Sequence, residues 1–247
     1  MKLFDLTGKK ALVVGGAGDI GCAISEGLSE AGAAVVIIDI DDKVSEIARA
    51  VNAQGLQVDV QDREAIKKSI FDAKKIVNDD FDILVNSAGI QRRNPSENFT
   101  EQDWDDVLSV NLTATFLYSQ HIAQGMIAKG YGKIINISSL MSNFGGRTIP
   151  AYAASKGGVS QLTKALSNDW AEKGIYVNAI APGYIDTKLN TKLISDPKRS
   201  QEVLLRTPAR RWGQPSDIKG AAIFLASTAS DFITGTTITV DGGYSAR

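Results

Sequence analysis

Lys10–Asp39 reads KALVVGGAGDIGCAISEGLSEAGAAVVIID. Lys10–Gly15 is a short apolar run between a basic turn and glycines, the pattern of a strand buried on both faces. Gly15–Gly21, GGAGDIG, is a glycine-rich turn. Cys22–Ala31 then has helical spacing, with Ile24 and Leu28 on one face, and Ala34–Asp39 is a second buried strand ending in an acid. Strand, glycine turn, helix, strand and terminal acid make up the dinucleotide-binding arrangement. Gly15, Gly18 and Gly21 let backbone approach a pyrophosphate, and the helix start at Asp19 and Ile20 offers N–H donors and a positive dipole end. Asp39 is placed to accept both hydroxyls of an adenosine ribose. It would repel a 2′-phosphate, so NAD is expected over NADP.

The alternation continues along the chain. Helices are expected over Val44–Ala53, Asp62–Asn78, Thr100 to about Lys129, Pro150 to about Glu172 and Pro215–Ala226. Strands are expected over Gly55–Val58, Phe81–Val85, Lys133–Ile137, Tyr176–Ile180 and Thr236–Val240. Thr100 is a natural N-cap, with Asp103 spaced to complete a capping box. Seven strands alternating with helices predict an α/β fold: one doubly wound Rossmann domain, residues 1–247, with a mostly parallel sheet. In such sheets ligands sit at the carboxyl ends of the strands. Gly15, Asp39, Asp59, Asn86, Ser139 and Pro182 all fall there.

The bulk of the chain excludes several function classes. A formal net charge of −1 over 247 residues gives no pull toward nucleic acid or anionic lipid. One cysteine, Cys22, cannot form an internal disulfide and suits a reducing, cytoplasmic setting. With one histidine, His121, a His/Cys metal cluster is not expected. No apolar run reaches the ~18 residues of a membrane span.

A second stretch carries chemistry. Ser139–Lys156 reads SLMSNFGGRTIPAYAASK. On a helix starting at Pro150, Tyr152 and Lys156 are one turn apart on the same face. An ammonium beside a phenol favours the phenolate, and a tyrosine tuned this way exchanges protons with a substrate oxygen near neutral pH. Ser139 closes the apolar run Ile134–Ile137 and would emerge beside that tyrosine.

Together these residues resemble the short-chain dehydrogenase/reductases. The resemblance rests on the glycine turn, Asp59-Val60, Asn86-x-Ala88-Gly89, Asn111, Ser139, Tyr152-x-x-x-Lys156, Pro182-Gly183-x-Ile185-x-Thr187 and Val240-Asp241-Gly242-Gly243. It implies a catalytic group in which Asn111 holds a water, Ser139 hydrogen-bonds the substrate oxygen and Tyr152 is the acid/base. Lys156 would bind the nicotinamide ribose and lower the tyrosine pKa. The resemblance also implies that Asp59 and Val60 flank the adenine, and that Asn86, Ala88 and Gly89 line the cofactor cleft. Pro182, Gly183, the Ile185 backbone and Thr187 would meet the nicotinamide. Three positions depart from the family pattern. Val14 replaces a threonine that ties the turn to the loop after strand four, Asp19 replaces a glycine near the pyrophosphate, and Ser87 replaces a second asparagine. Asp19 is expected either to turn away and cap the helix or to weaken phosphate binding.

Within the family, Ser87–Arg93, Ala181–Ile185, Arg211–Pro215 and Ala229–Ile233 look like enzymes acting at carbon 5 of gluconate or of 2-dehydro-3-deoxygluconate. A sugar-acid carboxylate is best held by an arginine fork, for which Arg92, Arg93 and Arg147 are candidates. Each can equally be read as a solvated loop arginine. A polyol or sugar dehydrogenase, a 3-oxoacyl-carrier-protein reductase and a noncatalytic NAD-sensing protein are the alternatives. The presence of all four catalytic-type residues disfavours the last. The resemblance implies a homotetramer, for which Trp170 and Tyr244 are candidate contacts, and residues 186–214 are expected to form a substrate lid.

Overall fold

The computed structural model describes residues 2–247. Seven parallel strands form one sheet: β1 (Lys10–Val14), β2 (Ala34–Asp39), β3 (Gln54–Gln57), β4 (Ile83–Asn86), β5 (Gly132–Ile137), β6 (Ile175–Pro182) and β7 (Thr237–Val240), in the order β3-β2-β1-β4-β5-β6-β7. The order reverses between β1 and β4, where the crossovers leave in opposite directions and a crevice opens at the strand ends. Register pairs Val14 with Asn86 and Asn86 with Asn136, so the three central strands end level beneath that crevice.

The helices are α1 (Asp19–Glu30), α2 (Val44–Ala50), α3 (Arg63–Val77), α4 (Glu101–Leu108), α5 (Ala114–Lys129), α6 (Pro150–Trp170), α7 (Thr191–Ile194), α8 (Pro197–Arg206) and α9 (Lys219–Ala226). Successive strand residues point to opposite faces, which explains why the strands are apolar throughout. Val13 and Ile37 enter one core with Ile24 and Leu28 of α1 and Leu225 of α9. Leu12, Val14, Val36 and Ile38 enter the other core with Ile66 of α3, Tyr118 of α5 and Leu166 of α6. No described helix is long and apolar enough to cross a membrane.

The helix ends follow local chemistry. Asp62 caps α3 by accepting from the amides of Glu64 and Ala65, and Asn78 stops it in a left-handed conformation. Thr100 caps α4 by accepting from the Asp103 amide at 3.1 Å. The reciprocal half of the expected capping box does not form, because the Asp103 carboxylate pairs with Arg92. The expected continuous helix to Lys129 is also interrupted. A π-helical turn at Ser109–Thr113 separates α4 from α5, and it contains Asn111.

Candidate active site

The base of the site is the turn between β1 and α1. Gly15 has φ +77°, and a Cβ there would overlap the Ala88 backbone. A Cβ on Gly21 would overlap the Gly15 carbonyl. The turn is therefore packed backbone against backbone, and the Ser87 amide donates to the Val14 carbonyl at 2.8 Å. These contacts hold the turn to the β4 loop although Val14 lacks a hydroxyl. Gly18 precedes α1 without a side-chain cap, so the first N–H groups of the helix are left for a ligand anion. Asp19 does not cap the helix. It is the first helical residue, and its carboxylate accepts from the Lys188 amide at 2.7 Å, 169 residues away.

Asp39 ends β2 with its carboxylate held by the Ala17 amide at 2.9 Å and the Asp41 amide at 3.1 Å. Asp59 lies in an exposed turn after β3, and Val60 packs partly into the α3-side core. Asn86 departs from the expected cleft lining. Its side chain is buried and donates to Ser119 Oγ (3.0 Å) and Asn136 Oδ1 (2.9 Å) between sheet and helices. The reason is strand parity: Ser87 and Gly89 face the cleft, while Asn86 points down.

A cleft of about 240 Å³ runs from Gly15, Gly18 and Ile20 to Gly89, Tyr152, Lys156, Pro182, Gly183, Ile185 and Thr187. Lys188, Leu189 and Asn190, from the segment expected to form the lid, line it as well. With glycine backbone, an uncapped helix end and an acid anchored to the Ala17 amide of the same turn, these residues suit a nicotinamide dinucleotide.

The four catalytic-type residues converge at one end of this cleft. Ser139 leaves β5 and accepts from the Met141 amide at 3.1 Å. Tyr152 and Lys156 project from α6 one turn apart, with the Lys156 ammonium 5.8 Å from the tyrosine ring centroid. Lys156 donates to the Ile137 carbonyl at 2.7 Å, and burial lowers its pKa to about 8. The π turn aims Asn111 inward, where its amide brackets the Ile90 backbone at 2.8 and 3.1 Å and donates to Ser155 Oγ at 3.0 Å. Burial pushes the Tyr152 phenol above its ordinary value, opposed by the neighbouring Ser139 hydroxyl and then by the charge of Arg93. Lys156 is here turned to the Ile137 carbonyl, and Arg93 adds a second positive charge that lowers the phenol's pKa.

The three candidate arginines separate. Arg92 points outward and pairs with Asp103 at 3.4 Å. Arg93 lines a narrow passage with Ser139, Tyr152 and Tyr184. Arg147 lies farther out, in a cavity of about 380 Å³ that Arg93 also borders. Residues 186–214 cover this side with α7 and α8. Tyr244 packs on Tyr184 (centroids 5.0 Å) and beneath Arg206 (4.2 Å), and Trp170 packs against the core, so both candidate contacts are satisfied within the chain.

Residues 15–245 match the family model described as enoyl-(acyl carrier protein) reductase. The chain belongs to the short-chain dehydrogenase/reductase family. Among relatives, it is 45% identical to the 2-dehydro-3-deoxy-D-gluconate 5-dehydrogenase of Bacillus subtilis (strain 168), over 99% of this chain and 97% of that one. It is 40% identical to the gluconate 5-dehydrogenase of Gluconobacter oxydans (strain 621H), over 98% and 96%. The crystal structure of a gluconate 5-dehydrogenase from Burkholderia cenocepacia J2315, in complex with NADP and tartrate, superposes with a TM-score of 0.95 at 44% identity, covering 100% of this chain and 98% of that one. As a short-chain dehydrogenase/reductase, the protein is a nicotinamide-dependent oxidoreductase acting on CH–OH groups.

Proposed function

We propose that this enzyme interconverts a secondary alcohol and a ketone at carbon 5 of a sugar acid, gluconate or 2-dehydro-3-deoxygluconate, with NAD as the preferred cofactor. The observation that carries the reading is the position of Arg93. It borders the passage in which Tyr152 and Ser139 would hold the reacting oxygen, and it opens into a cationic cavity large enough for the rest of a six-carbon acid. The names of the relatives support the same substrate class.

When bound, the nicotinamide accepts or gives the hydride. The chain's own residues handle the proton and the charge. Tyr152, as phenolate, takes the hydroxyl proton during oxidation and returns it during reduction. Ser139 donates to the substrate oxygen and stabilises the charge developing there. Lys156, lifted off the Ile137 carbonyl, would hold the nicotinamide ribose and add positive charge beside the phenol. Asn111, fixed by Ile90 and Ser155, keeps the water that relays the proton outward. Gly15, Gly18, Asp19, Ile20 and Gly21 receive the pyrophosphate, and Pro182, Gly183, Ile185 and Thr187 meet the nicotinamide.

Asp39 supports NAD, because a 2′-phosphate would meet a carboxylate already fixed in place by two amides. The NADP in the Burkholderia structure argues the other way for that relative. Residues 186–214 act as the substrate lid, and the chain works as a homotetramer.

The test is a panel of D-gluconate, 2-dehydro-3-deoxy-D-gluconate, D-glucitol and a 3-oxoacyl thioester, each with both cofactors, followed by absorbance of the reduced nicotinamide. Preferred turnover of a sugar acid with NAD is expected. Preference for the thioester, or for the neutral polyol, would overturn the substrate reading.

A further inference from the structure

The cationic cavity beside the passage holds arginines to which the reading above, resting on Arg93, assigns no role. Arg93, Arg147, Arg199 and Arg206 border it, and Glu202 is its one acidic neighbour. Arg206 is engaged, stacked over Tyr244 and Phe144 and reaching the Arg247 carbonyl. Among the described residues, no ion pair or side-chain hydrogen bond holds the guanidinium of Arg93, Arg147 or Arg199. Arg92, by contrast, pairs with Asp103, and Arg211 with Asp217.

Two of the free groups come from opposite walls. Arg93 sits on the loop after β4, part of the rigid sheet end. Arg199 sits in the first turn of α8, on the segment that covers the site. They are near enough for the Arg199 charge to add to desolvation in lowering the Arg93 pKa. Two like charges facing each other across solvent repel, and a carboxylate between them converts that repulsion into two charge-assisted forks. The wall carrying Arg199 is tied to the active-site side through its neighbour. Ser200 accepts from Trp212 Nε1 at 3.0 Å, and Trp212 packs edge-on against Tyr184, itself in the passage with Arg93.

We infer that Arg199 is a specificity-determining residue: with Arg93 it clamps the substrate carboxylate between the β4 loop and α8, so that the acid group itself draws the lid shut. The inference rests on the sugar-acid reading above and extends it. It makes lid closure depend on the substrate's charge, which a neutral polyol of the same length lacks. It also assigns α8 a binding role that the sequence, with Arg199 in a charged helix, does not announce.

The test uses the full-length enzyme and Arg199→Leu, Arg199→Lys and Arg93→Leu variants. For Arg199→Leu, KM for D-gluconate is expected to rise about 10- to 100-fold, with the loss in KM rather than kcat. KM for D-glucitol is expected to move by less than about twofold, well under the tenfold that a lost interaction of that size gives, and Arg199→Lys is expected to recover part of the discrimination. In hydrogen exchange on the enzyme with NADH, D-gluconate is expected to protect the amides of Pro197–Arg206 in the natural sequence and not in Arg199→Leu. Unchanged KM for D-gluconate, or equal losses for acid and polyol, would overturn the clamp. Failure of the natural enzyme to turn over any sugar acid would instead overturn the reading of the preceding subsection. Charge-dependent protection of α8 by D-gluconate would still support the clamp in that case.

Discussion

The two halves of the cleft are built from different materials. The half around the β1–α1 turn is backbone: Gly15 against Ala88, Gly21 against the Gly15 carbonyl, and the Asp39 carboxylate fixed by two amides. The half beyond Tyr152 is made of side chains on loops and short helices, with exposed arginines that have no partners of their own. On the proposed reading the first half holds a group common to many reactions, and a Cβ added at Gly15 or Gly21 collides with backbone. The second half recognises what distinguishes one substrate from another, and it can change without disturbing the sheet. That division explains how one scaffold keeps its cofactor while its substrates vary.

The sharpest way to break this picture is at the boundary between the halves. Tyr152→Phe is expected to lower kcat by about 10²–10⁴-fold with the fold retained, measured by turnover and thermal unfolding together. Activity within tenfold of the natural enzyme would remove the acid/base role. Next in size is Gly15→Ala. A Cβ at this left-handed position, pressed onto the Ala88 backbone, is expected to cost on the order of 3 kcal/mol. That corresponds to a fall in Tm of roughly 6–12 °C for a chain of this size. A Tm within a degree or two would show that the turn is softer than its contacts imply. Asp39→Ala is expected to shift the ratio of kcat/KM values for NAD and NADP by about tenfold or more toward NADP, the change expected from about 1.4 kcal/mol of lost repulsion.

The smallest effect concerns pH. Burial places the Tyr152 phenol above its usual value, so the base form needed for oxidation grows as pH rises, and kcat/KM for oxidation should climb into the alkaline range. Arg93 opposes that shift. Removing its charge in Arg93→Leu is therefore expected to move the alkaline limb to higher pH. A limb that stays in place would mean that Arg93 acts on the substrate alone.

Much of this architecture could be read from the residues. The apolar runs at Ala11–Val14 and Val35–Ile38 are too short for buried helices, and glycines or acids bound them, so the strands followed. The catalytic side chains could be read for a similar reason, since helix periodicity alone puts Lys156 one turn beyond Tyr152. What could not be read depends on contacts between distant segments. Nothing local marks Ser109–Thr113 as a π turn, because the extra residue is accommodated by packing onto α6 and the Ile90 backbone. The direction of Asn86 depended on where β4 ends, and a shift of one residue exchanges core for cleft. Arg199 looks like any charge on a polar helix until α8 is laid over the arginine on the β4 loop.

The bond from Lys188 to Asp19 has a consequence for the rhythm of turnover. An incoming pyrophosphate brings negative charge to the helix end where that carboxylate already stands. A pyrophosphate bound at this helix end is therefore expected to dissociate faster than from an Asp19→Gly variant, a difference read from the nucleotide's off-rate.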